Sequence, residues 1–113
     1  VIWPQLIGYA RAKEYLLTGD LMSATEAARI GLINHAVPAP DLDNKVDEFA
    51  RRLAAGAGKS NRWTKASVNL GLKQTVQTVL ETSLAYEEMS SKTTDHQEAV
   101  NAFRNKRKAQ FSG

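Results

Sequence analysis

A helical stripe in residues 42–55 constrains this chain more than any other feature. Leu42, Val46, Phe49, Ala50, Leu53 and Ala54 recur at steps of three and four, with Asp47, Glu48, Arg51 and Arg52 on the opposite side. A period of 3.6 with one apolar face predicts a surface helix that must bury that face against something. Pro38 and Pro40 keep the preceding stretch out of the helix, Asp41 is its expected cap, and Gly56 and Gly58 are expected to end it. The period returns twice downstream. Ser60 or Asn61 is expected to cap a helix carrying Trp63, Ala66, Ser67 and Leu70, which Gly71 weakens near its end. Residues 75–90 repeat the pattern with Val76, Val79, Leu80, Ser83 and Leu84. A last helix is expected from Thr94, where Thr94-x-x-Gln97 matches a capping box, with Ala99, Val100 and Phe103 on its buried side.

The first forty residues read differently. Residues 11–17 hold strong helix formers and close at Thr18-Gly19-Asp20. Ser23-x-x-Glu26 opens a short helix with Ala24, Ala27, Ala28 and Ile30, stopped by Gly31. Leu32-Ile33-Asn34-His35-Ala36-Val37 alternates roughly and predicts one short strand. A lone strand leaves its backbone hydrogen bonds unpaired, so its partner is expected outside this chain. The apolar start Val1-Ile2-Trp3, without a polar lead-in, adds to the expectation of a piece of a longer protein. The expected fold class is mainly α, with about six helices and one short strand.

Composition excludes several chemistries. Cysteine is absent, which removes disulfides, thiolate nucleophiles and Cys-based zinc sites, and suits a reducing, cytoplasmic compartment. No apolar run approaches the roughly 20 residues of a membrane span. The net charge of +3 is unevenly placed: residues 101–113 hold Arg104, Lys106, Arg107 and Lys108 and no acid. The rest of the chain is close to neutral. A basic end of this kind suits phosphate groups on a ligand, a nucleic acid or an acidic partner, or simply complements a helix C-terminus. Without a recognised motif, and with a near-neutral body, nucleic acid is not the expected partner.

Three catalytic constellations fail on inspection. Gly58-Lys59-Ser60 resembles the end of a phosphate-binding loop, but Leu53 stands where the first glycine belongs and a helix precedes it. His96-Gln97-Glu98 echoes the His-x-Glu of zinc deaminases, whose cysteine ligands are missing here. Glu87 and Glu88 are adjacent, so on a helix they do not face each other. No catalytic or metal-binding residue is assigned.

The order of segments carries the functional signal. Pro4-Gln5-Leu6-Ile7-Gly8 leads into residues 10–20, which end Leu16-Leu17-Thr18-Gly19-Asp20. Ser23-Ala24-x-Glu26-Ala27-x-x-x-Gly31-Leu32-Ile33-Asn34 and Val37-Pro38 follow, then Thr64-Lys65 with Asn69, and finally Ala102-Phe103-x-x-Lys106-Arg107-x-x-x-Phe111. Over essentially all 113 residues this series resembles the enoyl-CoA hydratase/isomerase (crotonase) superfamily. Gln5 departs from the usual pattern, which has a basic residue there, and Trp3 is a further departure.

The resemblance implies the C-terminal helical region of an α/β crotonase fold. Residues 1–37 would end the crotonase core, and residues 38–113 would form the helical oligomerisation region. The family's oxyanion hole and catalytic glutamates would lie upstream; Glu14 and Glu26 do not match them. The implied substrate is an acyl-CoA thioester, with coenzyme A as part of the substrate and no further cofactor. The implied assembly is a homotrimer or hexamer without membrane attachment. The implied coenzyme contacts are Phe103 and Lys106, an aromatic residue and a lysine three positions later, reaching the nucleotide of CoA bound by a neighbouring subunit. That spacing would put both on one helix face. The alternative expectation is a non-catalytic helical oligomerisation module, or a truncated fragment without activity of its own.

Overall fold

Glycine placement divides the N-terminal elements of the computed structural model, which describes residues 1–113. Helix α1 (Ile2–Ile7) carries Pro4 in its first turn, where the missing N–H has no helical partner to lose. Gly8 then turns the chain at φ 79, ψ 160, a conformation glycine adopts without a Cβ penalty, and α2 (Tyr9–Thr18) starts at once. Gly19 closes α2 in the left-handed region, its N–H donating to the Tyr15 carbonyl. Helix α3 (Ala24–Arg29) is capped by Ser23 as expected, with the Glu26 N–H donating to Ser23 Oγ at 3.1 Å. The Glu26 carboxylate does not complete the box. It pairs with Arg29 through two bonds of 2.6 Å, and this pairing lowers its pKa.

No strand forms at residues 32–37. The N–H groups of Leu32 and Ile33 both donate to the Ala27 carbonyl, at 2.9 and 3.3 Å. They close the end of α3, with Gly31 at φ 85 making the turn, so the segment begins as a helix cap. It runs on as irregular chain to a 3-10 turn at Ala39–Asp41 and then α4 (Leu42–Ala54). Asp41 occupies the cap position of α4 without a side-chain hydrogen bond.

The two expected central helices are one. Helix α5 runs Gly58–Ser91, 34 residues, through Gly71. A lone glycine costs about 1 kcal/mol in a helix, and no proline or cap accompanies it to end one. The Thr75 hydroxyl donates to the Gly71 carbonyl at 3.1 Å. Asn61 caps the preceding helix instead of starting the next: its side-chain amide donates to the Leu53 carbonyl at the end of α4, 3.0 Å away. Gly56 leaves room for that amide. Last comes α6 (Thr94–Arg104).

The chain divides into two compact units, residues 1–75 and 76–113. In the first, Ile7, Ala12 and Ile30 form a small core with Trp3, Tyr15, Met22 and Leu32 packed around it. In the second, Ala102 alone is buried. The stripe of α4 stays open, with Leu42, Val46 and Leu53 about half exposed. No large side chain is fully buried anywhere, and the accessible surface is 9725 Å². A self-contained monomer of this mass exposes about 6,100 Å², so roughly 3,600 Å² of additional surface is available for covering. No helix is long and apolar enough to cross a membrane.

Candidate functional site

The end of α6 is assembled from a cap, a turn and a returning tail. Thr93, one residue before the expected Thr94, caps the helix: its hydroxyl accepts from the His96 N–H at 3.2 Å. Ala99 and Val100 are half-buried on the inner side, as the stripe predicts, but the position expected for Phe103 is taken by Ala102, 2% exposed. Neighbouring helical residues diverge by about 100°, and Phe103 stands outside, 86% exposed. Its ring is therefore free for a ligand or a partner subunit.

Lys106 is not on the helix. Beyond Arg104 the chain makes a Schellman turn: the Arg107 N–H donates to the Ala102 carbonyl at 3.0 Å and the Lys106 N–H to the Phe103 carbonyl at 3.2 Å. Lys106 occupies the left-handed position of that turn at φ 50 and is the only non-glycine residue with positive φ. A non-glycine residue pays about 1 kcal/mol for this conformation. The turn geometry, rather than helix pitch, therefore relates Phe103 and Lys106.

The tail folds back onto the acidic edge of α6. Arg107 pairs with Glu98 in a two-pronged contact, its Nη2 donating to Oε2 at 2.7 Å. Glu98 Oε1 also accepts the Gln110 N–H at 2.9 Å, and Asp95 accepts the Ser112 N–H at 3.1 Å. The Arg107 guanidinium, aided by the Gln110 amide, pulls the Glu98 pKa down to about 2. With Arg107 engaged, Arg104, Lys106 and Lys108 remain exposed and outside any ion pair. Periodicity gives no sign of this clasp, because its members lie nine, twelve and seventeen residues apart. The one available signal was composition: acids at 95 and 98 followed by a purely basic end.

Elsewhere no catalytic constellation is assembled. Glu26 is committed to Arg29, and no group of His, Asp and Glu is arranged to hold a metal ion. His35 meets the Phe49 ring edge-on at 6.4 Å, and the Arg52 guanidinium lies over the Phe49 ring, 4.8 Å from its centroid. This aromatic group borders an apolar groove of about 440 Å³ along α4.

Comparison with known proteins agrees with this architecture. The whole chain, residues 1–113, matches the enoyl-CoA hydratase/isomerase family. It is 33% identical over 108 residues to a crotonyl-CoA hydratase of Syntrophomonas wolfei, covering 96% of this chain and 42% of that protein. It is 31% identical over 110 residues to a 1,2-epoxyphenylacetyl-CoA isomerase of Escherichia coli, covering 97% and 42%. The crystal structure of an enoyl-CoA hydratase from Bacillus anthracis superposes with a TM-score of 0.59 at 34% identity, over 97% of this chain and 43% of that one. The chain spans about two-fifths of the length of the curated relatives it matches. Its helices resemble the helical C-terminal region of crotonase-fold structures. The chain belongs to the enoyl-CoA hydratase/isomerase family.

Proposed function

We propose that this chain is the oligomerising, coenzyme-contacting part of an enzyme acting on acyl-CoA thioesters, and that the complete enzyme hydrates a 2-trans-enoyl-CoA. The end of α6 carries the reading: an 86% exposed Phe103 beside a turn that presents an unpaired Lys106. An exposed ring can stack on adenine, and an ammonium is a compact point charge for a phosphate. The nucleotide would belong to CoA held by a neighbouring subunit of a homotrimer or paired trimers. The roughly 3,600 Å² of surplus surface, the open stripe of α4 included, is there to be covered by the rest of the enzyme and by neighbouring subunits. The cytoplasm is the proposed compartment, on the absence of cysteine.

In this division of labour the chain's residues bind and orient. Enolate charge on the thioester oxygen would be met by groups supplied from outside these 113 residues. The test compares crotonyl-CoA with crotonyl-pantetheine, which lacks the nucleotide, in the complete enzyme. Phe103→Ala should raise KM for crotonyl-CoA about tenfold, the size of one lost stacking contact, and leave kcat and the pantetheine substrate untouched. An unchanged KM for crotonyl-CoA removes Phe103 from the site. The 113-residue chain alone should hydrate neither substrate; turnover by it would place the catalytic groups inside the chain and overturn the assignment.

A further inference from the structure

The turn that ends α6 carries a lysine where glycine is ordinarily found, at φ 50. Its two backbone bonds would form equally well with glycine, so they do not compensate the lysine. The next residue does more. Arg107 reaches back nine positions to grip Glu98 with two nitrogens, and the Gln110 and Ser112 amides tie the following chain to Glu98 and Asp95. The two ends of this clasp, residues 98 and 107, flank both Phe103 and Lys106 in the chain. Arg107 also donates its own N–H to the Ala102 carbonyl, so side chain and backbone fix it at once.

We propose that Glu98 and Arg107 are positioning residues for the coenzyme contact: their pairing across the end of α6 holds the Lys106 backbone in the left-handed turn and so sets the direction in which its ammonium leaves the helix relative to Phe103. The inference rests on the reading that Phe103 and Lys106 meet the nucleotide. A planar fork matched to a carboxylate constrains direction as well as distance, which a lysine at 107 would not. The chain following the turn is then ordered by carboxylates and not by an apolar core.

The test uses the complete enzyme with Glu98→Gln, which keeps shape and loses charge, and Arg107→Lys, which keeps charge and loses the fork. Each should weaken CoA binding about fivefold, as one contact held in poorer geometry would, with kcat and the kinetics of crotonyl-pantetheine unchanged. Adding Lys106→Ala to either should cost less than it does in the wild type, because the clasp acts through that side chain. Fully additive losses, or equal losses on both substrates, overturn the proposal. So does wild-type affinity in Glu98→Gln and Arg107→Lys while Lys106→Ala alone weakens binding; the coenzyme reading then survives without it. If Lys106→Ala and Phe103→Ala both bind CoA normally, the reading itself fails and takes the proposal with it.

Discussion

The N-terminal corner and the C-terminal end of this chain are held by opposite means. The corner formed by α1, α2 and α3 closes over Ile7, Ala12 and Ile30, with no polar side chain buried among them. Packing fixes it; the one ion pair at its edge, Glu26–Arg29, is exposed and contributes little, so salt and pH should move the corner far less than the C-terminal end. The end of α6 buries one alanine and ties the following chain, through Arg107, Gln110 and Ser112, to Glu98 and Asp95 by charge-assisted bonds. Apolar burial is suited to a permanent joint. Carboxylate pairing at an exposed surface is weaker and adjustable, which would suit the proposed role of presenting a lysine to a phosphorylated ligand.

The comparison breaks most visibly at Ile7. Ile7→Ala should destabilise the protein by about 2–4 kcal/mol, read from urea denaturation, because few neighbours can collapse into the cavity. The loss should be the same in low and high salt; a salt-dependent loss would show that the corner is not held by packing alone. Thr93→Ala removes the hydroxyl that accepts the His96 N–H and should cost about 1 kcal/mol. Thr94→Ala should cost little, which separates the observed cap from its neighbour.

Acid should release the C-terminal end and leave the corner in place. Glu98 ordinarily titrates near 4.5 and here is pulled down to about 2. A carboxyl with a lowered folded pKa contributes its full stabilisation above the unfolded value, and the contribution fades as pH falls from about 4.5 toward about 2. The Glu98 carboxyl carbon and the Gln110 amide should therefore titrate together near pH 2 by NMR. A midpoint near 4.5 would mean that the tail is not clasped in solution. The smallest effect is expected for stability at the exposed ring: Phe103→Ala should change the unfolding free energy by less than about 0.5 kcal/mol. A larger loss would identify Phe103 as a packing residue.

The helices were legible wherever one amphipathic stripe settled the matter. The α4 stripe predicts its helix, the Ser23 cap stands where the capping box put it, and the segment order identified the family. Failures came where two local signals competed. Residues 32–37 alternate like a strand, yet Gly31 and the carbonyl of Ala27 claim the first two amides. Gly71 weakens its helix by propensity, and the apolar pattern that resumes at 75 reads as a second helix, but no second breaker stands between them and the helix runs through. Asn61 looked like a cap and is one, for the helix before it. Ala102 and Phe103 differ by one position, and a stripe of three apolar residues does not fix which faces inward. Nothing in the sequence marked Lys106 for the left-handed turn, since glycine is the usual sign of one. The Glu98–Arg107 pair followed no helical spacing.

The coenzyme contact is the central claim, and CoA affinity in the complete enzyme tests it most directly. Lys106→Ala should weaken the CoA dissociation constant about tenfold, the size of one charge-assisted phosphate contact, with thermal stability and crotonyl-pantetheine turnover unchanged. An unchanged dissociation constant for CoA would contradict the account.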